Sequence, residues 1–465
     1  MSLFSNLDNT KSPALFDHGC SYSYKELNED MKKFDNFFES RSSILFFGKN
    51  NYSSIIFYIY CIRNKLIPIL IDPEINNQYV KKIINSYKPD YIYAPKIKNL
   101  NYVDYVFQGN FLNYYLFKNK KKIEYEKFNK LAILLSTSGS TGSPKFVRLS
   151  YNNIFSNCIS IIKYLNITKE HRSITSLPFN YSYGLSIINT HIHIGGSLIL
   201  TNESMAQKKF WEQFQDLSCT SFAGVPFHYN ILKNLKFNKF NLDNFKYSTI
   251  AGGALDENTL NYFIKFYKSK NKKLIIMYGQ TEASPRISYV PWEKIEDKKN
   301  SIGIPIPNGN ISLIYSKQND KTNNLEGELV YRGPNVSLGY AEGFKDLSFG
   351  DENQGCLNTG DIAYQDEDGY FYIVGRKKRF AKIYGNRINL DEIERNLKLD
   401  NLNAACIEKN NKINIYIIDK AYKKDVIAII NKKMNLSLKF INLIEIKEFP
   451  LKNNGKFDYE KLLNL

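Results

Sequence analysis

The sequence predicts an α/β protein. A large N-terminal domain of α/β sheets carries a small β subdomain and is followed by a small α+β C-terminal domain. Three observations predict this. Over residues 40–300, apolar stretches of strand length alternate with stretches of helical period, the pattern of sheets covered by helices. From about 300 to 375 the pattern shortens to strands and turns. At 376–379 a basic break, Arg-Lys-Lys-Arg, precedes a new αβ unit. The expected division is therefore 1–375, with 300–375 as the β-rich subdomain, and 376–465.

The elements follow in order. Ile44–Phe47, Ile67–Ile71 and Tyr91–Tyr93 are apolar runs of strand length, separated by helical patterns near 52–62 and 77–87. Ile55–Ile62 is apolar on all sides and stops at Arg63, which predicts a buried helix. Leu131–Leu135 reads as a buried strand, and Phe146–Ser150 alternates like a strand returning from a hairpin. Ser150 is a candidate N-cap for a helix with Ile154, Cys158, Ile162 and Leu165 on one face. Asn310–Ile314 and 369–374 are strands of the β subdomain. Beyond the break, Asn389 and Glu392 have capping-box spacing ahead of Leu390, Ile393 and Leu397. Ile413–Ile418 reads as a strand and 422–434 as a helix.

The chain has 465 residues, 43% of them hydrophobic and 14% aromatic, enough for a substantial core. No apolar run reaches the roughly 18 residues of a membrane span. The N-terminus lacks the basic-then-apolar order of a secretion signal, so the expected location is cytoplasmic. The six cysteines, at 20, 61, 158, 219, 356 and 406, form no Cys-x-x-Cys pair and no zinc spacing. His191 and His193, in a strand or at a helix edge, read as ordinary packing. The net charge of +17 invites a nucleic-acid partner, but the lysines are spread along the chain. No nucleic-acid partner is expected; the basic surface suits ATP, coenzyme A or an acidic carrier protein.

The most specific stretch joins the two strands of the hairpin: Thr137, Ser138, Gly139, Ser140, Thr141, Gly142, Ser143, Pro144 and Lys145. Hydroxyls, glycines and one lysine cannot pack a core, but they can wrap a phosphate chain. The glycines let backbone N–H groups approach an anion, and Lys145 adds charge at the loop's end. The usual P-loop needs Gly-Lys followed by Ser/Thr and a helix; here Lys145 lies behind Pro144 and a strand follows. The loop is thus expected as a flap between strands that closes over a triphosphate.

With these residues the chain resembles the adenylate-forming superfamily: acyl-CoA synthetases, adenylation domains and luciferases. The likeness covers nearly the whole chain, in the family's motif order. Where a glycine usually follows the loop lysine, this chain has Phe146. Gly252, Gly253, Ala254 and Leu255 are similar to the family's adenine-side turn. In Tyr278-Gly-Gln-Thr281-Glu282, the resemblance implies that Tyr278 stacks on adenine, Thr281 touches the α-phosphate and Glu282 holds Mg²⁺. The residue types suit those tasks: an aromatic face, a hydroxyl and a carboxylate for a hard cation. Asp361 offers two acceptor oxygens to a ribose diol, with Arg376 as its partner on ribose or phosphate. By the same resemblance Lys378 is the hinge of a mobile C-terminal domain, and Gly385 lines the path of a pantetheine arm. Lys456 then stands at the position of the catalytic lysine.

The implied reaction has two steps. A carboxylate attacks the α-phosphate of Mg·ATP, and a thiol of coenzyme A or of a carrier protein's phosphopantetheine then displaces AMP. The acid is expected near Asn180, Tyr181, Gly184 and Phe227, with Ala283–Arg286 nearby. Arg286 could meet a second carboxylate or form a structural ion pair. Asn180 is neutral where amino-acid-activating relatives commonly carry an Asp, so a carboxylic acid ranks before an amino acid. Nine residues follow Lys456, so any carrier is expected to be a separate acyl or peptidyl carrier protein. The alternatives are a stand-alone amino-acid adenylating enzyme and, from another class, a catalytically silent basic nucleotide- or nucleic-acid-binding protein.

Overall fold

The computed structural model describes the chain outside residues 1–2, 5–6, 8, 97–103, 122, 137–144, 319–324, 384–385, 411, 431–437 and 452–455; the side chains of 239, 315–318, 378, 380, 382–383, 386–387, 389 and 438 are also not described. Among the described residues, two large sheets form the body. The first is eight-stranded, in the order Gly339–Ala341, Phe146–Ser150, Leu131–Ser136, Ile67–Ile71, Ser43–Phe47, Tyr91–Pro95, Tyr114–Asn119, Tyr105–Phe111. The second is nine-stranded. Its centre is a parallel run in which Arg172–Ile174, Ser221–Gly224, Tyr247–Ile250 and Lys273–Tyr278 lie side by side.

The helices lie between and outside these sheets. The largest core cluster joins Ile44, Phe46 and Leu70 of the first sheet to Leu198, Ala223 and Ile275 on the side of the second. Helices Tyr52–Arg63 and Ser182–Ile194 fill the space between them, and Tyr58 donates to Asn189 across their contact at 2.9 Å. A helix covered on both sides must be apolar all round, which explains the Ile55–Ile62 run. His191 lies in the second of these helices and not in a strand, with Nδ1 2.9 Å from the Ile187 carbonyl oxygen. The N-terminal hairpin, Pro13–Asp17 with Cys20–Ser23, closes one edge of the second sheet against Ser197–Ile199.

Strands Asn310–Gln318, Leu325–Arg332, Cys356–Gln365 and Phe371–Arg376 make a separate antiparallel sheet with its own core. Residues from Ala381 onward pack two further clusters, one around Ile393, Leu397, Ile413 and Val426, the other around Ile407, Tyr416 and Leu462. The expected helix over 422–434 is shorter in its described part: a 3₁₀ turn at Lys420–Tyr422 leads into Lys423–Ile429. The expected cap at Asn389 lies outside the described side chains.

The hairpin around the Ser/Gly loop forms with Leu135 opposite Val147 and Ser136 opposite Phe146. Ser150 caps the next helix as its sequence predicts, accepting from the Asn153 N–H at 3.0 Å while Asn153 Oδ1 accepts from the Ser150 N–H at 2.8 Å. The alternation of Phe146–Ser150 does not mark a solvated face, because all five residues are buried. Strand Gly339–Ala341 lies along this strand's open edge and covers it, with Tyr340 opposite Val147. Arg148, fully buried, fastens that cover. Its guanidinium donates to the carbonyls of Tyr340 (2.9 Å) and Leu338 (3.0 Å) and pairs with Glu352 at 2.5 Å.

Candidate active site

In a parallel sheet the carboxyl ends of the strands open onto one edge, where ligands gather. Here those ends lead into Thr175–Tyr181, Val225–Phe227, Ala251–Ala254 and Gly279–Glu282. Four separated stretches of sequence thus meet at one edge of the second sheet. Gly252 has φ +87°, and a Cβ there would lie 3.3 Å from the Tyr181 hydroxyl. A Cβ on Gly253 would lie 3.2 Å from the Pro226 ring. The Gly-Gly turn therefore keeps the backbone low beside Tyr181, and Gly253 and Ala254 stand exposed on its rim.

Two side-chain groups form over this edge. The first joins Tyr278, Asp361 and Arg376. Asp361 and Arg376 are cross-strand partners in the small sheet, which brings carboxylate and guanidinium together. Asp361 is 5% exposed; it accepts from the Tyr278 hydroxyl and, at 3.1 Å, from Arg376 Nε. Burial and the adjacent carboxylate hold the Tyr278 phenol protonated well above its ordinary range. Burial alone would depress the Arg376 guanidinium, but Asp361, Tyr278 and Asp391 outweigh it and the net shift is upward. An aromatic plane thus stands next to a fixed carboxylate and a cation, a set suited to a nucleoside.

The second group joins Glu282, Tyr340 and Lys145. Tyr340 donates its hydroxyl to Glu282 Oε1 at 2.7 Å, and the Lys145 ammonium sits 4.1 Å over the Tyr340 ring. Lys145 Nζ also lies 3.6 Å from Glu342 Oε1. Sequence reasoning gave Tyr340 no chemistry. Its place depends on the pairing of 339–341 with 146–148, which no local pattern announces. Thr281 is buried behind Glu282, its hydroxyl 3.1 Å from that of Ser182 in the first turn of the Ser182–Ile194 helix.

The remaining candidates spread out. Asn180 and Tyr181 are half-buried just ahead of that helix. Gly184 is buried within it, where a Cβ would come within 2.3 Å of the Pro178 carbonyl oxygen; its smallness serves helix–turn packing. Phe227 is 54% exposed at the start of helix Pro226–Asn234. Lys456 is exposed, between the bridged residues Leu451 and Phe457. The loop residues Thr137, Ser138, Gly139, Ser140, Thr141 and Gly142, the Lys378 side chain and Gly385 lie outside the described residues.

Among the described residues there is no cluster of three or more His, Cys, Asp or Glu side chains able to hold a metal. Glu282 supplies a single carboxylate. That donor set fits Mg²⁺, which binds through one or two carboxylates and completes its shell with water and substrate phosphates.

Comparison with known proteins gives a consistent answer. The profile described as AMP-binding enzyme matches residues 6–341. The chain is 29% identical over 273 residues to the long-chain-fatty-acid–CoA ligase of Escherichia coli O157:H7, covering 57% of this chain and 47% of that one. It is 31% identical over 268 residues to a probable 4-coumarate–CoA ligase 2 of Dictyostelium discoideum, covering 57% and 48%. The chain spans about half the length of the curated relatives it matches. In fold it is similar to the O-succinylbenzoate coenzyme A synthetase of Bacillus subtilis solved with AMP: TM-score 0.78, 17% identity, 97% of this chain and 95% of that one.

Proposed function

The chain belongs to the AMP-binding enzyme family, and from that premise we propose that it activates a carboxylic acid with ATP and passes the acyl group to a thiol. The observation that carries this reading is the pair of side-chain groups at one sheet edge, one fitted to a nucleoside and one to a metal-bound phosphate. Tyr278 offers its ring to adenine, and Asp361 accepts from the ribose hydroxyls with Arg376 beside it. Lys145, at the end of the 137–144 loop, neutralises the β- and γ-phosphates. Glu282, oriented by Tyr340, would hold Mg²⁺, which when bound screens the phosphate charge. Thr281 and the positive end of the 182–194 helix face the α-phosphate.

The acid's carboxylate oxygen forms a bond to the α-phosphorus as the bond from that phosphorus to the bridging oxygen breaks and pyrophosphate leaves. Lys456 stabilises the charge that builds on the phosphoryl oxygens. A thiolate then attacks the acyl carbon and AMP departs. The C-terminal unit turns about Lys378 between steps, bringing the stretch around Gly385 to the thiol's path. Coenzyme A is the preferred acceptor, in keeping with the CoA ligases it resembles; a separate carrier protein is the alternative. The neutral Asn180 favours a carboxylic acid over an amino acid. All six cysteines are free thiols, which suits the cytoplasm. No described helix is long and apolar enough to cross a membrane.

The test is acid-dependent pyrophosphate release across a panel of carboxylic and amino acids. Release with at least one acid, followed by thioester formation with coenzyme A, is the expected result. Nucleotide binding without release for any acid would reject the proposal.

A further inference from the structure

Arg286 is 2% exposed, four residues beyond Glu282. Other buried guanidinium groups are neutralised by carboxylates or, like that of the half-buried Arg41, hold several carbonyl oxygens even where Nε is open. Arg148 has Glu352 at 2.5 Å, and Arg379 has Asp391 at 2.8 Å and Glu394 at 2.5 Å. Arg286 has no carboxylate within ion-pair distance among the described residues. Its guanidinium lies 4.1 Å over the Tyr183 ring, Nη2 makes one long bond, 3.4 Å, to Ser186 Oγ, and the neutral Tyr164 hydroxyl is also within its reach. Its Nε is buried without an acceptor. Desolvating a full charge costs several kcal/mol, of which a desolvated tyrosine face returns about 2 or somewhat more. The partners of Arg286 are thus all neutral, and one donor is left open for an anion.

Its position shows which anion. Tyr181 and Tyr183 are near enough to feel its charge, and the Tyr181 hydroxyl borders the Gly252 turn. Along the 182–194 helix, Ser182 touches Thr281 and Ser186, one turn on, touches Arg286. Ser186 stands about 6 Å along the helix axis from Ser182, so the guanidinium beside it lies one helical turn along from the hydroxyl expected at the α-phosphate. An acid reacting at Thr281 would direct its far end toward Arg286.

We propose that Arg286 binds a second carboxylate of the substrate, so that the acid activated is a short aliphatic dicarboxylic acid. This rests on the adenylation reading above. A planar guanidinium takes a carboxylate through two parallel N–H···O bonds, and Nε is the donor left open for one of them.

The test compares succinate, glutarate and adipate with butyrate, pentanoate and hexanoate as substrates for pyrophosphate release by the full chain. Wild type is expected to prefer a diacid over the monoacid of equal length by at least about 30-fold in kcat/KM, the size set by a buried charge pair. Arg286→Leu should lower kcat/KM for that diacid at least about 30-fold more than for its monoacid, with Arg286→Lys recovering part of the preference. A thermal shift with the same diacid, present in wild type and lost in Arg286→Leu, reads binding without turnover. Monoacids preferred by wild type, or equal losses on both acids in Arg286→Leu, would overturn the assignment and leave adenylation standing. Failure of every acid to release pyrophosphate would overturn both. If Arg286→Leu does not fold, the wild-type preference and the Arg286→Lys variant decide.

Discussion

Replacing Asp361 by Ala tests the nucleoside group most directly. The carboxylate accepts from a buried Tyr278 hydroxyl and from Arg376 Nε at 3.1 Å. Without it the phenol loses its acceptor, which costs about 1–3 kcal/mol. The ion pair adds no more than about 1 kcal/mol, because the Arg376 side chain is 64% exposed and screened by solvent. The loss is about 3 kcal/mol in all. With an unfolding entropy of roughly 2.1 cal/mol/K per residue over a body of roughly 375 residues, this lowers Tm by about 4 °C. Asp361→Asn keeps an oxygen for Tyr278 and gives up only the ion pair, so its Tm should fall by about 1 °C. Both variants lose charge-assisted bonds to the ribose and should bind AMP at least about 10-fold more weakly. Calorimetric melting at one scan rate and titration with AMP read the two effects separately. An Asp361→Ala protein that melts and binds AMP like wild type would refute the assignment. An Asn variant melting as low as the Ala variant would refute the role given to Tyr278.

Lys456→Ala should cut pyrophosphate release at least about 100-fold while AMP affinity by titration stays within about 2-fold. Tyr340→Phe keeps the ring under Lys145 but frees Glu282, so the Mg²⁺ concentration for half-maximal release should rise several-fold; Tyr340→Ala should also raise KM for ATP. Burial holds His191 and His228 neutral, down to about 4 against an ordinary 6.5. The unfolded chain takes up those protons first, so this contribution to stability is complete above pH 6.5 and is lost as pH falls toward 4. Tm measured from pH 7.5 to 5 should fall accordingly, and a His191→Asn/His228→Asn double variant should show a shallower fall.

What the sequence disclosed was local. The Ser150 cap, the all-apolar 55–62 helix and the hairpin flanking the Ser/Gly loop follow from spacing and residue type within a few positions. Tyr278, Asp361 and Arg376 were legible as a set through family motifs, although only cross-strand register explains why the last two meet. Arg148 gave no local signal of its burial, because a distant segment covers it. Tyr340 was passed over for the same reason. His191 and His193 fall in the last turn of the 182–194 helix, so of the two alternatives left open, strand or helix edge, it is the helix that forms.

The Arg148 anchor also bears on the order in which the molecule can be assembled. The strand leaving the Ser/Gly loop is made early, but the carbonyls of residues 338 and 340 and the Glu352 carboxylate that satisfy its guanidinium are made about 190–200 residues later. At ribosomal rates of roughly 5–20 residues per second, that strand waits on the order of 10–40 s with one edge open. A nascent chain halted before residue 338 would carry an unsheltered strand edge next to the Ser/Gly loop, a place for a chaperone to hold until the covering strand emerges.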